Sequence, residues 1–363
     1  MKKRLLAVAL TMSMVFALAA CGGSKQSTEA PKETEAPAES TVETEAAETE
    51  AAAPEYERAK VRVAYMPNMG SAASLFVALD QGYFDEVGLD VETYEFQGGP
   101  AEISAMASGD IDISQIGHGA HALCIEGQAV IFQMDHTNSL SDEVVVNKSH
   151  GIEKAEDLAG KTIAVTSGTS SEIILQQVLA KAGLTEDDVN LVEMTVDGMT
   201  TAMISDQIDA CAIWSPNTVT LKNAMGDNYL CLGGNADFTD SATFPSSFIT
   251  TKDYADANRD ILVRFAQAID KAHDYRAANI EDAAKGLAAH VDAPEETMLA
   301  SVGEADWQTI TEICGDMDAI KGVYEVQQQV FINNGRITET VDTNNYVLYD
   351  VMQEAYDAYS AAK

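Results

Sequence analysis

Positive charge is what this chain has least of: its 363 residues carry 22 Lys and Arg against 58 Asp and Glu, a formal net charge of −36. Nucleic acids and anionic membrane surfaces are held by clustered cations that neutralise phosphate, so neither is a partner for the folded surface. Cysteine is sparse too. The five cysteines show no C-x₂-C spacing of the kind that holds a metal. Catalytic signatures are also missing: there is no G-x-S-x-G, no P-loop and no G-x-G-x-x-G after a strand. Aromatic residues make up 7% and hydrophobic residues 46%, a balance that supports a packed core despite the acidity.

A long apolar run stands at the very start. Met1-Lys2-Lys3-Arg4 is basic, Leu5 to Ala20 is apolar except for Thr11 and Ser13, and Ala19-Ala20-Cys21-Gly22 follows. The run is short for a membrane span and reads as a signal peptide over 1–20. The small residues before Cys21 resemble the bacterial lipoprotein box, which implies that Cys21 is diacylated and becomes the mature N-terminus, tethering the protein outside the cytoplasm through a lipid anchor. Residues 24–60 carry ten Glu among Ala, Thr and Pro, with Val42 and Tyr56 alone larger than Ala among the apolar residues. Such a segment cannot offset its ordering entropy, so 21–60 is expected to be the lipidated cysteine followed by a disordered acidic linker.

From Val61 the pattern becomes β-loop-α-β-loop-α-β. Val61–Tyr65, Val91–Phe96 and Ile111–Ile116 read as strands, with helices through Leu75, Phe76, Leu79 and Tyr83 and through Ile103 and Met106. The same order returns about a hundred residues on, in strands Lys161–Thr166, Val189–Met194 and Ile208–Trp214. Two α/β lobes follow, each a mainly parallel sheet flanked by helices; a single doubly wound sheet is the alternative. Two β-branched runs, Val144-Val145-Val146 and Phe248-Ile249-Thr250-Thr251, are expected to be the hinges. Lobe one is then 61–146 with 248–363, lobe two is 147–247, and the helical tail completes lobe one. Cys124, Cys211, Cys231 and Cys314 are expected to be buried free thiols, or to include one disulfide between Cys211 and Cys231.

Ligands of open α/β sheets sit beyond the carboxyl ends of the strands, which two facing lobes would turn into a cleft. The loops there hold Met66, Pro67 and Asn68; Gly98 and Gly99; Gly117 and His118; Thr169, Ser170 and Ser171; and Trp214. They offer backbone N–H groups and hydroxyls to a small polar ligand, although the hydroxyls could equally be plain helix caps and Trp214 a core residue. His118 and His121, with His136 farther on, could in principle hold zinc, but their flanks are apolar. No metal and no cofactor is expected.

Val63-Ala64-Tyr65-Met66-Pro67, Leu75 to Phe84, Ser108-Gly109-Asp110-Ile111-Asp112, Asp157 to Val165 and Ile208 to Pro216 together resemble the substrate-binding proteins of ABC importers, in the sulfonate, taurine, nitrate and thiamine-pyrimidine-precursor group. The resemblance covers nearly all of 61–363. It implies the type II periplasmic-binding fold, a ligand between the lobes, and delivery by a monomer to a permease and its ATPase. Ser215 stands where taurine and sulfonate binders often carry an acid, and no Lys or Arg lies in the candidate loops. A sulfonate- or nitrate-like anion and a small heterocycle or organic acid are both open as ligands. The rival function is an enzyme on the same fold, for which His118 and Cys124 are the nearby reactive groups.

Overall fold

The computed structural model describes residues 56–137 and 140–363; the signal peptide, Cys21 and most of the linker lie outside the described residues. The strands are β1 (Ala59–Tyr65), β2 (Leu89–Glu95), β3 (Ile113–Ile116), β4 (Val130–His136), β5 (Asp142–Asn147), β6 (Thr162–Val165), β7 (Asn190–Glu193), β8 (Ala210–Trp214), β9 (Tyr229–Gly234) and β10 (Ser246–Thr250). They form two five-stranded sheets, ordered β2-β1-β3-β10-β4 and β7-β6-β8-β5-β9. The two orders are the same pattern. In each, three parallel strands are followed by one antiparallel strand that has come over from the other sheet, and then by a fourth strand that restores the first direction.

Strand alternation decides which side chains meet which helices. In the first sheet Val61, Val63, Phe132 and Phe248 face Leu75, Leu262, Phe265 and Ile269, whereas Ala64, Ile116, Ile131 and Ile249 face Ile103, Met106 and Tyr324. In the second sheet Val144, Val146 and Ile163 pack on Ile174, Leu175 and Val178, and Val145, Ala164 and Cys211 on Met199 and Met203. Both faces of both sheets are covered, as parallel strands require. Of the helical tail, Arg259–Ala278 and Tyr349–Ala361 pack on the first sheet, and Ile280–His290 packs on helix Met69–Asp80. Among the described residues no helix is long and apolar enough to cross a membrane.

The expected hinges are corrected here. Val144, Val145 and Val146 pair wholly within the second sheet and Phe248 to Thr250 within the first, so a lobe boundary at 146/147 would cut through β5. Each β-branched run is a fully buried strand whose backbone is committed on both sides. The crossings precede them, between His136 and Asp142 and between Gly234 and Ser246. The Cys211–Cys231 disulfide is likewise excluded: all four described cysteines are free. Both Cys211 and Cys231 pair with Val145, from opposite sides, which sets their backbones about 10 Å apart, beyond the ~7 Å reach of a disulfide. Cys124, Cys211 and Cys314 are buried as expected, but Cys231, on an edge strand, is exposed.

Candidate functional site

Helix starts and strand ends converge between the sheets. After β1, Asn68 caps helix Met69–Asp80 by accepting from the Ser71 N–H at 2.8 Å. After β6, Thr169 caps helix Ser170–Lys181 through the Ser171 N–H, and its hydroxyl also donates to the Thr166 carbonyl at 2.7 Å. The loops after β3 and β8 complete the ring. They enclose a cleft with about 500 Å³ of atom-free space, part of it open to solvent, lined by Met66, Asn68, Gly99, Gly117, His118, Thr169, Ser170 and Trp214. Pro67 lines a side branch of about 260 Å³, with Met66, Asn68, Asp197 and Trp214. Trp214 is 7% exposed and serves both the cleft wall and the core of the second lobe.

Two sequence candidates do not face the cleft. Ser171 is buried and pins its own lobe together, its hydroxyl donating to the Ala212 carbonyl at 2.6 Å and accepting from the Thr166 N–H at 3.2 Å. Gly98 faces Thr169 across the join between the lobes, where a Cβ would lie 3.6 Å from the threonine methyl. Gly119 is the closer join. A Cβ on it would stand 2.1 Å from the Thr169 carbonyl carbon and 2.2 Å from the Ser170 nitrogen, so no side chain fits while the lobes hold this position.

The sequence reading missed Gly70, Ser71, Gln115, Ser141, Asp142 and Ser246, which with Ala120 complete the lining. Asp142 matters most. It opens β5, is 1% exposed, and accepts from Ser170 Oγ and Asn235 Nδ2. His118 Nε2 reaches it from the first lobe at 3.0 Å, and the His118 ring rests on Phe244. The acid pair Asp142-Glu143 directly before the buried run Val144-Val145-Val146 is the signal available.

His121 turns the other way, its Nδ1 3.0 Å from Gln327 Oε1, and burial holds it down at about 3, as a neutral ring. Among the described residues no group of three His, Cys, Asp or Glu is placed to hold a metal. Cys124 is also buried, and burial raises its thiol out of the nucleophilic range.

Beneath the cleft floor, Gln115 donates from Nε2 to the Gly70 carbonyl at 2.8 Å and to Asp135 at 3.2 Å. Asp135 is fully buried between Arg276 Nη1 at 3.0 Å and His273 Nε2 at 2.8 Å. Burial alone would raise its carboxyl, but Arg276, His136 and His273 outweigh that and hold it well below the ordinary range. Arg276 is therefore spent on Asp135 and stacked on Trp307. No Lys or Arg lines the cleft or its side branch.

A family model described as NMT1/THI5 like matches residues 70–283. A Brucella abortus protein described as a binding protein is 30% identical over 293 residues, covering 80% of this chain and 90% of its own. A Bacillus subtilis protein named as an aliphatic sulfonates-binding protein is 24% identical over 302 residues, covering 80% and 87%. The solved alkanesulfonate-binding protein SsuA of Xanthomonas axonopodis pv. citri, bound to MOPS, has a TM-score of 0.67 at 19% identity, covering 81% of this chain and 99% of its own; at that identity the likeness is one of fold. With a family match over more than half its length and two sheets in the arrangement of periplasmic-binding proteins, this chain belongs to the NMT1/THI5-like family.

Proposed function

We propose that this protein is an extracytoplasmic solute-binding lipoprotein: it captures one small polar compound between its two lobes and hands it to the permease and ATPase of an ABC importer. The observation that carries the reading is the cleft itself. Both lobes line it, two chain crossings join them, and at Gly119 one backbone meets another with no room for a side chain. That is the geometry of domain closure around a ligand. The description of relatives as binding proteins supports the same reading.

Cys21 would carry the lipid and the acidic segment after it would serve as a leash, holding the body near the membrane without fixing its orientation. In this reading the protein does no chemistry on its ligand: Cys124 is sealed away, and the relatives it resembles are described as binding proteins. Met66, Pro67, Asn68, Gly99, Gly117, His118, Thr169, Ser170 and Trp214 form the proposed binding surface. A melting screen of the full chain against sulfonates, nitrate, small organic acids, amines and nitrogen heterocycles tests it. A ligand at 100 times its dissociation constant adds about 2.7 kcal/mol of stability, so a binder raises the melting temperature saturably. A panel in which nothing does so contradicts the proposal.

A further inference from the structure

The permanently charged side chains that line the cleft and its side branch are all acidic. Asp142 is a buried carboxylate on its wall and Asp197 stands in its side branch, with no Lys or Arg in either. Arg276, the cation beneath the floor, is fully buried and bound through Nη1 to the Asp135 carboxylate and through Nη2 to the Asp135 carbonyl. It is not free to neutralise a second anion. The surrounding body is itself acidic, the whole chain carrying −36. An anion entering this space meets Asp142 and a repelling field, with no Lys or Arg to offset them and only the starts of helices Met69–Asp80 and Ser170–Lys181 on its side.

Asp142 is not used up by its own neighbours. A carboxylate has about four acceptor positions. Ser170 takes one on Oδ1, and Asn235 and His118 take two on Oδ2, which leaves Oδ1 with one position. The three donors also hold the carboxylate rigid, so a ligand's N–H group finds an oriented acceptor. His118 comes from the first lobe whereas Asp142, Ser170 and Asn235 belong to the second, so this acceptor is assembled by the meeting of the lobes.

We infer that Asp142 sets the charge class of the ligand: the cleft takes a compound that presents a cationic or N–H-donating group, of amidine or amine type, to Asp142, and rejects sulfonates, carboxylates and nitrate. The inference rests on the proposed receptor role of the same cleft. Its test compares probes of one shape and two charges, acetamidine with acetate and benzamidine with benzoate, together with ethanesulfonate. Binding to the full chain is measured by equilibrium titration and by melting shift, in the wild type, in Asp142→Asn, which removes the charge, and in Asp142→Glu, which keeps it.

The expected result is that at least one amidine binds the wild type at least tenfold more tightly than its carboxylate partner. The preference falls tenfold or more in Asp142→Asn and persists in Asp142→Glu; if Asp142→Asn does not fold, the wild type and Asp142→Glu decide. Anions that bind the wild type as tightly as the amidines overturn the inference while leaving a receptor in place. A preference unchanged in Asp142→Asn overturns it too. A wild type that neither amidine stabilises also overturns it, and if the broad compound screen is empty as well, the receptor reading falls with it.

Discussion

Gly119→Ala is the substitution that separates lobe closure from folding. Gly119 does not hold a left-handed conformation, and it lies in the short turn His118–Ala120, so alanine brings no backbone strain of its own. The three atoms nearest its Cβ belong to Thr169 and Ser170, at 2.1 to 2.4 Å, and all three are backbone. No rotamer change relieves such a contact; the lobes must stand about 1 Å or more farther apart before normal van der Waals separation returns. Overpacking of this kind costs about 1–3 kcal/mol, which here falls on the closed form alone. Because apparent affinity scales with the fraction able to close, the dissociation constant should rise about 5- to 150-fold, toward the upper end since neither partner can yield. Calorimetric titration with a compound that stabilises the wild type measures this, and small-angle scattering at saturation should show the variant more extended. The melting temperature without added compound should stay within a few degrees of wild type. A Gly119→Ala protein that binds as tightly as the wild type, at unchanged stability, refutes the argument that closure brings these backbones together.

Glu102 gives a pH test. It is fully buried, and burial pushes its carboxyl up to about 8 against an ordinary value of 4.5, with Ser114 as its hydrogen-bond partner. The folded form therefore keeps a proton that the unfolded chain has released, and stability is lost as pH rises from about 4.5 to about 8, by no more than about 5 kcal/mol. Glu102→Gln should remove that loss, so urea unfolding at pH 4.5, 6 and 8 should show the variant gaining on the wild type by a few kcal/mol across the window; a constant difference contradicts the assignment. Cysteine mapping tests the sheet order. Iodoacetamide under native conditions should modify Cys231 but not Cys124, Cys211 or Cys314, and slowly, because burial of the sulfur and nearby Glu143 push the Cys231 thiol up to about 12. Modification of Cys211 at the same rate, or a Cys211–Cys231 disulfide peptide, would overturn the order β8-β5-β9.

How much of this was legible in the sequence depended on whether a residue's partners were near in the chain. The repeated β-α-β-α-β pattern was legible because period-two and period-3.6 alternation is local, and six of the ten strands among the described residues follow from it. β4 was not: Gln133, Asp135 and His136 break its apolar run, and they are tolerated because Asp270, His273 and Arg276, more than a hundred residues later, supply buried partners. The hinges were misplaced for a related reason. A β-branched run announces a strand, but only pairing shows which sheet receives it. Thr169, Ser170 and Trp214 were found as residues flanking a strand end or helix start. Asp142 escaped because its meaning lies in His118 and Asn235, brought to it by the crossings. Ser171 was mistaken for a cleft residue because a hydroxyl at a helix start can face either outward or back into its own lobe.

Capture without conversion is the central claim, and one mass balance tests it directly. The full chain is incubated with a stabilising compound, the bound fraction is separated and released by denaturation, and the compound is quantified by mass spectrometry. The account predicts one equivalent bound per chain and complete recovery of the compound unchanged, however long the incubation. A product accumulating with time, at a rate that falls in a His118→Ala protein, would show that this cleft performs chemistry and would contradict the account.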